Sequence, residues 1–465
     1  MLTGTVLAQA LPLLAAPLLT RLYSPEAFGL LTLFMGVAGS LAVLATCRMD
    51  LAVVLPKSDE RAKETAGFAI ITTLIVCTLT VVVLATLVIS GAVSFPASWI
   101  WVVPAMIALL ASYQLASGLA TRNQSFRRIA TASVINQACY VVTSIAIGAV
   151  SSVALGLVFA RTLGQLLASL MLGHGVIYDS FRSVGKVSWV KATGIFKEFK
   201  QFFIFNTPYS LIGSVARDAP IYIFSAFSAL GAAGYFGLAR TVLMAPTLLA
   251  SNAFSQVFYR EAVALKGTVR LEAITLNLLR IGFITLAPIF AFCTVWGDHL
   301  FVFVFGERWH TSGQLAMVLA PAAWLAIQTG WPERLFEVNQ RQGVSFGIQL
   351  LSDALTTSMV AAVYLVTENV IYAIIMFSLC NVAYHHLYLI TIFRISSFRV
   401  SGLATVMYRG WAMYIVVLLL LSGLRLYLDL STPLGWGSSA VIAVTISLAS
   451  MKILTKKDLL VTRNE

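Results

Sequence analysis

Four arginines, Arg161, Arg217, Arg240 and Arg280, lie inside long apolar stretches of this chain. An arginine at the centre of a bilayer costs about 2.5–3.5 kcal/mol on insertion scales, so each of these side chains must meet a partner or a water-filled space. A guanidinium group keeps its proton and donates two parallel hydrogen bonds, a geometry that matches phosphate. The pattern therefore predicts a cationic cavity for a phosphorylated or pyrophosphorylated ligand.

Acidic side chains are scarcer in the same stretches. Asp218 and Asp353 lie inside apolar runs, and Asp50 lies near the end of one. Arg217 is next to Asp218, but adjacent residues on a helix do not face each other. The charge inside the apolar runs is therefore mainly positive. Ion pairs between helices, or arginines bonded to the carbonyls of broken helices, are the alternative interpretation. Asp50 and Asp353 are the candidates for coupling to a cation.

Polar residues at helical spacing accompany these charges. Arg161 and Gln165 are four residues apart, and Asn277 and Arg280 are three apart, so each pair shares a helix face. Such stripes either face a cavity or hydrogen-bond a neighbouring helix, as membrane bundles commonly do. Two further stripes follow the same spacing: Gln349, Asp353 and Thr356 or Thr357, and Asn381, His385 and Tyr388.

The composition shows what kind of protein must position these residues. Of the 465 residues, 59% are hydrophobic and 11% are charged, whereas soluble domains have about 45–50% apolar and about 25% charged residues. A soluble enzyme, a secreted disulfide scaffold and a disordered protein are therefore excluded, and a polytopic membrane protein remains. The net charge of +12 fits cationic loops at anionic lipid headgroups better than nucleic-acid binding. The five cysteines show no metal-type spacing, so we predict no metal site and no cofactor.

Apolar runs of about 20 residues, the length that crosses a bilayer, recur along the chain. If the N-terminus is cytoplasmic, 24 basic residues fall in the even-numbered connections and the C-terminal tail, and three fall in the odd-numbered connections. This asymmetry predicts that both termini are cytoplasmic. The fourteen predicted spans are 2–20, 27–48, 65–91, 98–119, 129–149, 152–173, 200–226, 232–257, 271–296, 311–332, 343–365, 370–393, 405–425 and 434–454.

A short repeat indicates how these spans are grouped. Phe28-Gly29-Leu30 and Phe236-Gly237-Leu238 stand 208 residues apart, at the start of the second and the eighth span. The offset separates spans 1–6 from spans 7–12 and leaves two helices at the end. We predict an N-lobe at 1–173, a cytoplasmic linker at 174–199, a C-lobe at 200–393, and helices 13 and 14 with a cytoplasmic tail at 394–465.

Four longer strings of the chain are distinctive. They are LLTRLYSPEAFGLLTLF at 18–34, RMDLAVVLPKSDERA at 48–62, GYFGLARTVLMAP at 234–246 and LFVFVFGERWHTSGQLAMVLAP at 300–321. Arg21, Arg48 and Arg240 lie within them. These strings resemble the bacterial polysaccharide-biosynthesis flippases, the Wzx-type translocases of O-antigen and capsule units. This family belongs to the multidrug and oligosaccharidyl-lipid exporter superfamily.

The resemblance implies an all-α polytopic membrane protein of about 14 transmembrane helices, with two six-helix lobes around a central cavity and two extra helices. It implies that an undecaprenyl-pyrophosphate-linked glycan is moved from the inner to the outer leaflet of the bacterial inner membrane by alternating access. The polymerase and the chain-length regulator of the same pathway are the expected protein partners. The candidate pyrophosphate contacts are Arg21, Arg48, Arg161, Arg217, Arg240 and Arg280.

Several other functions are alternatives to this one. A flippase for lipid-linked peptidoglycan precursors is the nearest alternative, because its ligand carries the same diphosphate. A drug or cation exporter of the same superfamily would need net acid in its cavity, and the excess of arginine argues against it. An enzyme is disfavoured because the sequence holds no catalytic triad, no Gly-rich phosphate loop and no metal cluster. The internal repeat argues against a channel or a scaffold, because such repeats are typical of alternating-access transporters.

Overall fold

The computed structural model describes residues 2–91, 97–173, 189–427 and 433–461. These residues form eighteen α-helices, one π-helical turn and one 3-10 turn, with no strand among them. The prediction of an all-α protein is therefore confirmed. The chain divides into two compact units, unit 1 at Met1–Gly234 and unit 2 at Tyr235–Glu465. The predicted lobe boundaries at residues 173, 199 and 393 stay predictions.

The described residues of unit 1 form ten helices and the first turn of an eleventh. Their starts follow the sequence: Ser24 precedes a helix with Pro25 in its first turn and accepts a hydrogen bond from Ala27 N at 3.3 Å. Ser58 caps the next long helix in the same way. The helices are α1 Leu2–Leu22, α2 Pro25–Thr46, α3 Met49–Ala52, α4 Asp59–Ile89, α5 Trp99–Arg122, α6 Phe126–Val150, α7 Ala154–Gly173, α8 Trp189–Glu198, α9 Thr207–Arg217 and α10 Ala219–Ala226.

The seventh predicted span, 200–226, is broken into three pieces. It begins with the π-helical turn Phe202–Asn206 and continues as α9 and α10, with Asp218 between them. A proline lies in the first turn of both α9 and α10, and because proline has no backbone N–H it starts a helix more readily than it continues one. Both pieces are bonded to α2: Ser40 Oγ lies 3.1 Å from Ser214 Oγ and 3.2 Å from the Tyr222 hydroxyl.

Helix α8 belongs to the predicted linker, whose residues 174–188 lie outside the described part of the chain. Ile195 of α8 is fully buried in a cluster with α3, α4 and α5. Two ion pairs join α8 to the start of α4: Arg61 to Glu198 at 2.6 Å and Lys191 to Glu64 at 2.6 Å. Arg61 also bonds Glu64 at 2.9 Å. The end of the linker is therefore attached to unit 1 by an apolar contact and a charged network.

We expect Glu64→Gln to loosen this attachment modestly. Glu64 bonds both Arg61 and Lys191, but partly exposed ion pairs contribute only about 0.2–1 kcal/mol each. Limited trypsin digestion should then cleave the linker several-fold faster than in the wild type. Glu60→Gln is the matched control, because Glu60 is exposed on the same helix. Equal cleavage rates in the two variants would contradict the prediction.

Unit 2 is built around its longest helix, α12, which packs against α13, α17 and α18. Helix α12 ends at Gly306, whose φ of 98° favours glycine because that backbone region is open to it. The FGERW string therefore marks the end of α12 and the connection to α13. Its residues Glu307–Trp309 form the 3-10 turn that leads into α13. The helices are α11 Leu230–Ala264, α12 Val269–Phe305, α13 His310–Gly330, α14 Arg334–Val338, α15 Gln342–Thr367, α16 Val370–Ile395, α17 Val400–Tyr427 and α18 Pro433–Val461.

Ten of the described helices are long and apolar enough to cross a membrane. They are α2, α4, α5, α6, α7, α12, α15, α16, α17 and α18. The chain is therefore a multi-pass membrane protein, as its composition indicates. The predicted count of fourteen is approximate. The other four predicted spans coincide with α1, α9 together with α10, α11 and α13.

Candidate functional site

Several arginines of the chain are neutralised by acidic side chains. Arg122 at the end of α5 bonds Asp59 at 2.9 Å and also donates to the carbonyls of residues 54, 56 and 57. In unit 2, Arg425 at the end of α17 bonds Asp298 at 2.6 Å. Such guanidinium groups have little capacity left for a ligand. The candidate sites are therefore the arginines that have no acidic partner among the described residues, or only a loosely paired one.

Arg161 is one of these, in unit 1. Its Nη1 donates to Gln137 Oε1 of α6 at 2.9 Å, and its Cζ lies 5.3 Å from the centre of the Tyr140 ring. Both partners are uncharged. Four residues further along α7, Gln165 is buried and accepts a hydrogen bond at 2.7 Å from Asn136 Nδ2. The predicted stripe therefore faces α6. Within the described part of the chain Arg161 has no acidic partner, and most of its N–H donors have no acceptor.

Arg280 is the counterpart in unit 2. Among the described residues it has no hydrogen bond and no ion pair, and its Nε is buried. It follows Leu276 by four residues and precedes Phe283 by three, so these side chains share a face of α12. A Cβ placed on Gly402 would lie 3.0 Å from Leu276, and one on Gly410 would lie 2.6 Å from Phe283. Arg280 therefore lies on the side of α12 that faces α17.

Arg48 and Asp50 form a third, loosely paired site at the end of α2. Their side chains approach to 3.8 Å, which is an ion pair without a hydrogen bond. Cys47 and Arg48 both have left-handed backbone conformations, with φ of 47° and 57°. Two successive residues in this region cost about 1–3 kcal/mol each and persist only where the surrounding structure enforces them. These two backbone conformations thus fix the position of Arg48 relative to the end of α2.

The remaining predicted residues belong to helices α1, α9, α11 and α15. Arg21 is exposed at the end of α1, and Arg217 is exposed at the end of α9. Arg240 is partly buried in α11, with its Cζ 6.0 Å from the centre of the Phe236 ring. Asp353 is partly buried in α15. Binding by these arginines and coupling through Asp353 stay predictions.

The polar stripe on α16 mainly joins helices. His385 Nδ1 lies 2.9 Å from Thr329 Oγ1 of α13, and the Tyr388 hydroxyl lies 2.7 Å from Ser345 Oγ of α15. The next histidine, His386, has Nδ1 at 2.7 Å from the Val382 carbonyl and accepts from Trp411 Nε1 at 2.9 Å. The ring nitrogen that faces a carbonyl must carry a proton in order to donate it. The ring nitrogen that faces an indole N–H must be unprotonated in order to accept. His386 is therefore neutral in this arrangement and bonds α16 to α17.

Asp298 is not among the residues predicted from the sequence, and neither is its partner Arg425. The structure shows that Asp298 is buried and accepts from Arg425 and from the backbone N and Nδ1 of His299. The sequence feature that could have indicated this ion pair is an acid at the end of one apolar run and a base at the end of another. No group of three or more potential metal ligands occurs in the described ranges.

Comparison with known proteins agrees with this architecture. Residues 1–259 match the family described as "Polysaccharide biosynthesis protein", which covers more than half of the chain. A comparison with curated proteins found no match.

Three solved structures share the fold. A lipid II flippase MurJ in an inward closed conformation has a TM-score of 0.73 at 12% identity, over 98% of this chain and 99% of that one. An inward-facing multidrug resistance MATE family transporter of the MOP superfamily has a TM-score of 0.62 at 16% identity, over 85% and 95%. A MOP superfamily transporter from Pyrococcus furiosus, described as having a binding pocket of reverse polarity, has a TM-score of 0.55 at 14% identity, over 85% and 95%. These likenesses concern the fold alone.

Proposed function

Because the chain belongs to the polysaccharide biosynthesis protein family, we propose that it is a flippase for a lipid-linked glycan. The ligand is an undecaprenyl-pyrophosphate-linked oligosaccharide, and it moves from the inner to the outer leaflet of the bacterial inner membrane. No covalent chemistry is required, since only the location of the ligand changes. The protein acts as a transporter and not as an enzyme.

The observation that carries this proposal is the uncompensated charge of Arg161 and Arg280. Arg161 is bonded to neutral groups, and Arg280 has no bonded partner among the described residues. Both arginines are half-buried. A charge that is partly withdrawn from water without a counter-ion is unfavourable, so a ligand that neutralises it is bound favourably. A diphosphate supplies two negative charges and several acceptor oxygens, which match the donor fork of guanidinium.

The polyprenyl tail and the polar headgroup pose different physical problems. The tail can stay in the hydrocarbon phase throughout, whereas the sugars and the diphosphate must cross about 30 Å of it. A polar route through the protein removes most of the desolvation cost, and two lobes that open alternately to either side provide such a route without a continuous pore. An inside-negative potential favours outward movement of the ligand by about 2.3 kcal/mol per charge per 100 mV.

The test uses Arg161→Ala and Arg280→Ala in purified, reconstituted protein. Hydrogen bonds to charged groups contribute about 1.5–3 kcal/mol, so each variant should lose roughly 10- to 100-fold in translocation of the lipid-linked glycan. Lysine at either position should restore part of the rate, because the charge is kept while the fork is lost. Arg399→Ala is the matched control, since Arg399 is exposed and its ion pair to Glu272 is 3.7 Å long.

Wild-type rates in both alanine variants, at normal expression, would refute a ligand-binding role for these arginines. A second candidate function is the translocation of lipid-linked peptidoglycan precursors. The likeness to the MurJ fold over nearly the whole chain favours it. The two functions are distinguished by offering vesicles that contain one lipid-linked glycan or the other, because both ligands share the diphosphate and differ in the sugars. A cation exporter is disfavoured by the same uncompensated arginines.

A further inference from the structure

We infer that one side of α9, in unit 1, is a binding surface for the sugars of the ligand. The residues on this side, which we call the polar band, are Asn206, Ser210, Ser214 and Arg217. The inference rests on the proposed function and deepens it, because it assigns residues to recognition of the glycan. An arginine that holds a diphosphate does not by itself distinguish one sugar from another.

The members of the polar band recur at helical spacing. Successive members are four, four and three residues apart, so they share one side of the helix. Asn206 is the last residue of the π-helical turn that precedes α9, and such turns occur frequently at functional sites. At 1.5 Å per residue, the row from Asn206 to Ser214 is about 12 Å long. This length suits a chain of more than one sugar.

The opposite side of α9 is apolar and faces outward. Ile212 and Val215 on that side are 38% and 40% exposed. At 3.6 residues per turn they lie about 160° and about 140° around the helix from Ser210. In a membrane protein such exposed apolar side chains face lipid, so the polar band points away from the lipid. Asn206 and Arg217 are nevertheless exposed, and the band therefore borders a space that water can enter.

Helix α2 lies next to the polar band and leaves room there. Ser40 Oγ of α2 is 3.1 Å from Ser214 Oγ and 3.2 Å from the Tyr222 hydroxyl of α10. These hydroxyl contacts hold the band in a fixed position, which lowers the entropy that a ligand must lose on binding. The residue before Ser40 is Gly39, where a Cβ would meet nothing within 4 Å. The space beside this part of α2 is therefore open.

The chemistry of the polar band fits the neutral part of the ligand. Carboxamide and hydroxyl groups donate and accept hydrogen bonds, and the hydroxyls of a sugar do the same. A lipid chain is a poor occupant, because it would leave these groups without partners. A diphosphate requires cationic partners, and within the band only Arg217 supplies one, at its end. The sugars follow the diphosphate along the ligand, so a neutral row that ends at an arginine matches the order of these parts.

The test compares two probes that differ only in the glycan. One is undecaprenyl diphosphate, and the other is the undecaprenyl-diphosphate-linked oligosaccharide purified from cells that express this chain naturally. Binding to the full-length protein in detergent is measured by calorimetry. Because a neutral hydrogen bond changes affinity by about 2- to 10-fold, the wild type should bind the oligosaccharide probe at least about tenfold more tightly. Asn206→Ala and Ser210→Ala should each weaken binding of this probe by about 2- to 10-fold and leave binding of undecaprenyl diphosphate unchanged.

Two further variants serve as controls. Ser210→Thr keeps a hydroxyl and should retain the preference of the wild type for the oligosaccharide probe. Ile212→Ala shortens a side chain on the lipid-facing side of the same helix, and it should bind both probes as the wild type does.

The inference is overturned if the two alanine variants bind the oligosaccharide probe as tightly as the wild type, because the band is then only a wall of a water-filled space. It is also overturned if they lose affinity for both probes equally, which would indicate a structural role of α9. Equal affinity of the wild type for the two probes would overturn the inference and leave the proposed function standing. A wild type that binds neither probe would instead contradict the proposed function, and this inference with it.

Discussion

Replacing Gly29 by alanine is expected to destabilise the protein strongly. A Cβ at this position would collide with the carbonyl oxygen of Leu230 in the first turn of α11 and would lie 3.2 Å from Gly234 N. A Cβ on Gly234 would lie 2.9 Å from Gly29 N. The obstacles are backbone atoms, so no side-chain rotation can relieve them. Overpacking costs about 1–3 kcal/mol where side chains can shift, and we expect at least the upper end of that range here.

Gly39→Ala is the control, since Gly39 lies on the same helix and a Cβ there would meet nothing within 4 Å. Alanine is favoured over glycine inside helices by about 0.8–1.0 kcal/mol, so this variant should be as stable as the wild type or slightly more. Thermal unfolding in detergent measures both. If Gly29→Ala melts at the wild-type temperature, the close crossing of α2 and α11 is absent in solution.

The second large effect is expected from Arg425→Ala. This change leaves Asp298 buried in α12 without its cation, and it also removes the contact between the guanidinium and the Trp296 ring, whose centre is 5.2 Å from Arg425 Cζ. Removing one partner of a buried ion pair costs about 3–5 kcal/mol. The position is also tightly packed, because a Cβ on Gly313 of α13 would lie 2.5 Å from Asp298 Cα. The variant should therefore unfold at a clearly lower temperature.

Two further variants separate the ion pair from general damage to unit 2. Arg399→Ala removes an arginine that is 75% exposed at its side chain, and such pairs contribute about 0–1 kcal/mol. The double variant Arg425→Ala with Asp298→Ala should recover part of the lost stability, because no lone buried charge remains. A double variant that is less stable than Arg425→Ala would show that Asp298 is held by bonds other than the ion pair.

Much of the fold follows from local properties of the chain. Apolar runs long enough for a bilayer coincide with helices of the structure, because in lipid a helix satisfies its own backbone hydrogen bonds. The break near Pro208 and Pro220 and the turn at Gly306 are likewise local effects. The sequence did not predict that the break divides one span into a π-helical turn and two helices, since that depends on the hydroxyl contacts with Ser40 of α2.

Residue composition and hydropathy suffice to predict an all-helical membrane protein whose apolar segments contain more arginine than acid. They do not show which arginines lack an acidic partner among the described residues, because this depends on the packing of the helices. Arg425 is paired with Asp298, which lies 127 residues earlier in the sequence, and Arg122 is paired with Asp59, which lies 63 residues earlier. Arg161 contacts only neutral groups among the described residues. The physical reason is that hydropathy and helical spacing are properties of neighbouring residues, whereas neutralisation of a charge depends on distances of a few ångströms between distant parts of the chain.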